Sequence, residues 1–374
     1  MKMGCLRPLY GHTGDYISVY LDISRGHEKA ADEVELRWRA ARQRLVDAGA
    51  DSGTLDAVEN VVTDPARAAP GRAIFACDGA VTFTAPLSAA PRREIARLGR
   101  LPHLMPLLAQ RPPTPAHLRV VANRAGGEIV TVRDGSPGWR EGIAGRGWPV
   151  HKASTGGWSQ LRYQRSAEET WEENAKRLAA SVVDAAERVQ PERIVMAGGT
   201  KARSLLLRHL TRPLRKRVVE VDREVAPDSA EMAQAADHSL TALADRECRA
   251  RFGEWQARRA HSGTVEGLAA TLAALRDGRV SDLFLADRPS STASVWIGPD
   301  GADLAVSAAE LRARGVPDPV RERADAAIVR ALAATDAELH LLPEDLVEEA
   351  DPGGGGIAFP PDGICATLRW AEAG

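Results

Sequence analysis

Apolar and polar positions alternate over Tyr16-Ile17-Ser18-Val19-Tyr20-Leu21, which predicts a strand. Val34, Trp38, Ala41 and Leu45 recur at helical spacing and predict a helix over Ala31 to Ala48. Gly71-Arg72-Ala73-Ile74-Phe75-Ala76 and Ala80-Val81-Thr82-Phe83 flank Asp78-Gly79, a dipeptide suited to the positive φ of a tight hairpin. Arg111-Pro112-Pro113-Thr114-Pro115 is a stiff, non-helical joint, so the first part is expected to be residues 1–113.

The second part, 114–226, opens with strands over His117 to Ala122 and Glu128 to Val132, joined at Gly126-Gly127. From Asp134 to Gln164 the chain is polar, Gly-rich and without apolar period, which predicts a long loop. A helix is expected from Ser166, with Glu169 completing a capping box. Its stripe is Trp171, Ala175, Leu178, Val182, Ala186 and Val189, and Pro191 closes it. Ile194 to Ala197 reads as a buried strand, Gly198-Gly199-Thr200 as the turn into a helix Lys201 to Leu210, and Val218 to Val221 as the next strand.

The third part, 227–374, carries a long helix from Asp228 to about Arg259 and a stripe of Val265, Leu268, Leu272 and Leu275. Strands are expected at Val280 to Ala286, Ser294 to Ile297, Glu338 to Leu342 and Ile364 to Trp370, with a helix at Ala324 to Ala333. Strands alternating with helices make the fold class α/β, in three domains.

The 374 residues hold 49 Lys+Arg against 51 Asp+Glu, which excludes a globally basic nucleic-acid coat but not a local patch. Cys5, Cys77, Cys248 and Cys365 are far apart, so no CxxC or zinc-finger spacing exists. No secretion signal and no run of about 20 apolar residues is present, so the expected location is the cytoplasm, without a membrane. Walker A, Rossmann, HExxH and GxSxG patterns are absent, the His residues lack metal spacing, and no cofactor or metal is expected.

Two basic features change the picture. Lys201, Arg203, Arg208, Arg212, Arg215, Lys216 and Arg217 precede the first acid, Glu220, and the turn before Lys201 opens a helix that could hold a phosphate. His151-Lys152-Ala153-Ser154-Thr155-Gly156-Gly157-Trp158-Ser159-Gln160-Leu161-Arg162-Tyr163-Gln164-Arg165 is acid-free and carries two aromatics. Arginine and lysine neutralise phosphates, and Trp or Tyr can stack on unpaired bases. The candidate RNA contacts are therefore His151, Lys152, Gly156, Gly157, Trp158, Ser159, Gln160, Arg162, Tyr163, Arg165, Lys201 and Arg203.

Three stretches resemble the archaeal/eukaryotic class-1 release factor and Pelota superfamily, in its divergent bacterial branch of Balon-like, mycobacterial–streptomycete type. Gly156 to Arg165 follows the frame of the Gly-Gly-Gln loop running into a helix. Ala273 to Asp287 is similar to the family's helix, turn and strand, and Gly363 to Trp370 to its Gly-Ile-Ala-Ala-Ile-Leu-Arg-aromatic ending. The resemblance covers about 115 to 370. It implies a divergent N-terminal domain, an RNase-H-like middle domain and a C-terminal α/β/α domain of the kink-turn-binding ribosomal-protein type. It also implies a monomer when free that binds the ribosomal A site, its loop directed at the peptidyl-transferase centre rRNA.

Trp158 stands where the hydrolases of that family carry Gln, and no Asn-Ile-Lys-Ser stop-codon motif occurs in the first part. The expected function is thus A-site occupancy without codon reading, in hibernation or stress protection. Hydrolysis of peptidyl-tRNA on stalled ribosomes, with Gln160 orienting water, stays open as the alternative, as does an RNA-binding module unrelated to ribosomes.

Overall fold

A computed structural model describes the chain except residues 28, 68, 111–114, 134–135, 146–156, 224, 260–262, 289–290, 344–345, 348–359 and 371–374, and the side chains of 157–167. The chain divides into two compact units, Met1–Pro112 together with Glu247–Gly374, and Pro113–Arg246.

The N-terminal part of the first unit holds β1 (Tyr16–Ile23), α1 (Ala30–Asp47), α2 (Ser52–Thr63), β2 (Ala69–Cys77), β3 (Ala80–Leu87), β4 (Ile95–Gly99) and α3 (Met105–Gln110). The sheet order is β3-β2-β1-β4, with every neighbouring pair antiparallel. As expected from the sequence, β2 and β3 form a hairpin, and Asp78 and Gly79 both have positive φ, 53° and 79°. Both central residues in the left-handed region match the twist of the strands.

Central strand β1 is buried on both faces. Ile17, Val19, Leu21 and Ile23 pack on Val34, Trp38 and Leu45 of α1 and on Leu55, Val58 and Val62 of α2. Tyr20 and its neighbours Ala73 and Phe75 point the other way, into a core shared with the C-terminal part of the unit. The period of two thus feeds two separate apolar layers. Helix α2 has no counterpart in the sequence reading. Gly53 and the β-branched Val58, Val61, Val62 and Thr63 lower its helical propensity, but the Asp51 carboxylate caps it, accepting from the Thr54 N–H at 2.8 Å.

The second unit contains β5 (His117–Asn123), β6 (Gly126–Arg133), β7 (Ser136–Ala144), α4 (Gly157–Val189), β8 (Arg193–Gly198), α5 (Thr200–His209), α6 (Arg212–Arg215) and β9 (Val218–Glu220). Its strand order is β7-β6-β5-β8-β9. β6 runs antiparallel to β5 and β7, while β5, β8 and β9 are parallel. This is the RNase-H-like arrangement. Leu118, Val120, Ile194 and Met196 face α4 and α5. Val195 and Ala197 face Met232, Ala236 and Leu240 on the opposite side.

Two expectations need correction here. The stretch Asp134 to Gln164 is not one loop: β7 occupies Ser136–Ala144, and α4 begins at Gly157. β7 is an edge strand with mostly exposed side chains, so no buried face imposed an alternating pattern. Ser166 is consequently not an N-cap but an interior residue of the 33-residue α4. Among the described residues of α4, the first buried positions are Asn174 and Ala175.

The rest of the chain comprises α7 (Ala230–Arg258), β10 (Thr264–Glu266), α8 (Leu268–Arg276), β11 (Val280–Ala286), β12 (Ser294–Ile297), β13 (Leu304–Ala305), α9 (Ala308–Ala313), β14 (Val320–Arg323), α10 (Ala324–Thr335), β15 (Glu338–Leu342) and β16 (Ile364–Leu368). A four-stranded sheet β10-β16-β11-β15 and a small sheet β13-β12-β14 result. Val265 belongs to β10 rather than to the stripe of α8, because Gly267, at φ 78°, separates the two. Cys248, Phe252 and Trp255 of α7 pack on Phe284, Ala286, Leu342 and Cys365. No helix among the described residues is long and apolar enough to cross a membrane.

The N-terminal and C-terminal parts of the first unit are tied by buried charge. Glu322, 4 % exposed, accepts from Arg97 and from the Leu101 N–H. Asp325 accepts from Arg323 Nε at 2.9 Å and Nη2 at 2.6 Å and pairs with His103 Nε2 at 3.1 Å. Burial opposes its ionisation, but these partners outweigh burial and hold the carboxyl far below the usual carboxylate range. Because the folded value is depressed, the stabilisation is complete above the unfolded value, about 3.9, and disappears as pH falls towards the folded one. Asp325→Asn should therefore cost on the order of 2 kcal/mol at neutral pH, with the gap to wild type closing on acidification below about pH 4. Urea midpoints measured at several pH values check this. A gap that is constant from pH 7 to 3 would contradict it.

Candidate nucleic-acid interface

The parallel strands β5 and β8 end side by side, and the chain leaves them through Asn123-Arg124-Ala125 and Gly198-Gly199. Carboxyl ends of parallel strands next to a switch in strand direction are the usual place for a site in such sheets. A concavity of about 840 Å³ opens there, lined by these two turns, by Lys201 and by Val225 to Pro227. Gly198 has φ 113°, and a Cβ added to it would collide with the Ala122 carbonyl oxygen. Only glycine lets the turn into α5 lie this close to the end of β5. Gly198→Ala should cost at least about 1–3 kcal/mol of stability. A shift in the urea midpoint measures it, and an unchanged midpoint would contradict the close approach.

Trp171 meets two cations. The Arg124 guanidinium carbon and Lys201 Nζ each lie 4.7 Å from its ring centre. Lys201 Nζ also donates to Glu168 at 2.9 Å, and this bond together with its charge lowers the Glu168 pKa. Asn174, 2 % exposed, donates from Nδ2 to the Arg124 carbonyl at 3.0 Å, which pins the β5–β6 turn to α4. Arg124 was not singled out in the sequence, and Trp171 was read only as part of the apolar stripe. The signal available was Arg124 immediately after a predicted strand, which no periodicity marks.

The other basic positions differ in their surroundings. Arg203 is buried, 6 % exposed, donating to the Val221 carbonyl at 2.6 Å and to Asp222 at 2.9 Å. It ties α5 to the end of β9 and is not a surface charge. Arg215 and Arg217 donate to the Leu210 and Pro191 carbonyls, and Arg208 pairs with Glu172 at 3.6 Å. Seven consecutive positives in sequence therefore do not make seven free charges in space, although Lys201, Arg212 and Lys216 are exposed.

Gly157, Trp158, Ser159, Gln160, Arg162, Tyr163 and Arg165 lie on the first turns of α4, and their side chains are outside the described residues. His151, Lys152 and Gly156 fall outside them altogether. At 1.5 Å per residue, Gly157 is about 25 Å along the helix from Asn174, where the sheet-buried face begins. The first N–H groups of a helix have no partner within it, and Trp158 and Gln160 both lie in that first turn. Residues two apart differ by about 200° around a helix, so positions 158 and 160 are on opposite sides. The sheet ends hold Asn123, Gly198 and Gly199, and the described residues show no metal-ligand cluster there. The paired carboxylates that nuclease chemistry requires are missing from these positions.

Comparison with known proteins bears on this segment. Residues 116–263 match the family model described as bacterial archaeo-eukaryotic release factor family 2. The uncharacterized protein Rv2629 of Mycobacterium tuberculosis (strain ATCC 25618 / H37Rv) is 29% identical over 379 residues, 99% of this chain and 97% of the relative. Among solved structures, the archaeal translation termination factor aRF1 is 15% identical, covering 95% of this chain and 92% of its own, with a TM-score of 0.23. Pelota of Archaeoglobus fulgidus is 12% identical, covering 81% and 80%, with a TM-score of 0.36. The matched segment 116–263 spans the RNase-H-like sheet, α4 and α7, so the similarity to the bacterial archaeo-eukaryotic release factors lies in the part of the chain that carries the candidate interface.

Proposed function

We propose that the protein is a release-factor-like, ribosome-associated factor of the cytoplasm that occupies the A site without reading a stop codon and acts in hibernation or stress protection. The observation that carries this reading is the Gly156-Gly157-Trp158 sequence frame, whose Gly157 opens α4 inside the segment that matches the family model. Functionally the chain is read as three parts: 1–113, the middle part 114–226 that presents the frame, and 227–374. Trp158 keeps a backbone N–H where the hydrolases carry Gln, but replaces the side chain that excludes wrong nucleophiles with a flat aromatic suited to stacking on an unpaired rRNA base. Gln160 sits on the other side of the helix from that position, which disfavours its taking over a hydrolytic role.

Two assays test the proposal together. In sedimentation with purified ribosomes, the protein should pellet with them, and log K should fall linearly with log salt as phosphate contacts release counterions. Peptidyl-tRNA on the same ribosomes should stay intact. Release of peptide by the wild-type protein would replace this reading with the hydrolase. Failure to pellet at low salt, with free RNA still bound, would replace it with a non-ribosomal RNA-binding module.

A further inference from the structure

Outside the interface, His12, Cys77 and Asp78 bring imidazole, thiol and carboxylate together, with the three donor atoms all within 4.8 Å of one another. They come from two places in the chain. His12 lies just before β1, Cys77 ends β2, and Asp78 opens the hairpin turn. His12 Nδ1 is 3.4 Å from Asp78 Oδ2, and its ring stands edge-on to Tyr16, with centroids 6.1 Å apart. The turn is anchored from behind, since the Gly79 N–H donates to Thr54 Oγ1 of α2 at 2.8 Å. Gly14 crosses so close that an added Cβ would collide with Asp78 Oδ1 and press on Cys77 Sγ at 3.1 Å. The cluster is therefore held by a capped helix, a hairpin and a glycine crossing.

We propose that His12, Cys77 and Asp78 form a site for a zinc-class transition metal, with water as the fourth ligand. The donor set of one sulfur, one nitrogen and one oxygen suits a borderline-soft ion, whereas calcium and magnesium take oxygen ligands. Bond lengths of about 2.3 Å to sulfur and about 2.0 Å to nitrogen and oxygen put tetrahedral ligands about 3.3–3.8 Å apart. The observed spacing needs only side-chain adjustments to reach this. The thiol is buried, while the His12 and Asp78 side chains are 39% and 53% exposed, so the open position faces solvent. On binding of the divalent cation the Cys77 thiol proton leaves to the buffer. A second trio, Asp282, Glu338 and His340, also brings three donors together, but Arg251, Arg258 and Arg369 line the same recess and repel a cation.

The test uses the full chain, reduced and stripped with chelator, titrated with Zn²⁺ by calorimetry and with Co²⁺ by absorption. One equivalent should bind, and cobalt should show a near-ultraviolet thiolate-to-metal band with visible bands of tetrahedral intensity. Cys77→Ser should abolish the band, and His12→Ala should weaken binding by more than about 100-fold. Cys5→Ser and His340→Ala should leave both unchanged. His12 is part-exposed, so its variant keeps the fold, as circular dichroism will report, and it decides the matter if Cys77→Ser misfolds. No metal uptake by wild type, wild-type affinity in His12→Ala, or loss in Cys5→Ser or His340→Ala would overturn the site.

Discussion

Trp158→Ala is expected to weaken ribosome binding by about 1–3 kcal/mol, roughly 5- to 150-fold in Kd, because stacking on an unpaired base contributes that much per aromatic. Gln160→Ala is expected to leave binding within a factor of about two, because under the proposed binding role this side chain holds no hydrolytic water. The two positions are neighbours in sequence but about 200° apart around α4, so they report on different surfaces of one helix. Equilibrium binding of both variants to purified ribosomes at one fixed salt concentration makes the comparison. Under the hydrolase reading the order reverses. Gln160→Ala would then abolish peptide release while binding persists, the mark of an interaction made mainly in the transition state. Trp158→Ala binding as tightly as wild type would remove the stacking role.

The largest stability effect is expected at Trp255. It is fully buried, stacked on Phe252 with centroids 5.4 Å apart and planes 11° apart, and tilted against Phe284 at 6.5 Å. Trp255→Ala should cost about 3–5 kcal/mol through lost contacts and the cavity left behind. For a unit of this size that is a fall in Tm of very roughly 6–20 °C. Calorimetry reads it directly. A loss below about 1 kcal/mol would mean that α7 is not seated on β11 as described.

Legibility in the sequence followed burial. β1, the β2–β3 hairpin, β5, β8, β11, β15 and β16 announced themselves because each places a regular apolar pattern against a core. The Asp78-Gly79 turn was readable because both residues tolerate the left-handed backbone that the twist demands. β7 was not, because an exposed edge strand needs no alternation. The first turns of α4 were not, because Ser166 with Glu169 mimics a helix start inside it. The glycine frame of the site was legible as a motif. The neighbourhood of Trp171, Arg124 and Lys201 was not, because it joins a strand end, a helix and a second helix start that lie far apart in the chain. Arg203 shows the converse: a run of positive residues conceals an arginine whose partners, Val221 and Asp222, appear only when β9 is placed.

A-site occupancy without codon reading is the central claim, and competition measures it most directly. Ribosomes with labelled protein bound are challenged with aminoacyl-tRNA matched to the A-site codon, and in parallel the protein is bound to ribosomes programmed with a stop or a sense codon. The account predicts that A-site tRNA displaces the protein and that its affinity is the same on both codons. Binding that is indifferent to A-site tRNA, or that tightens on a stop codon, would contradict it.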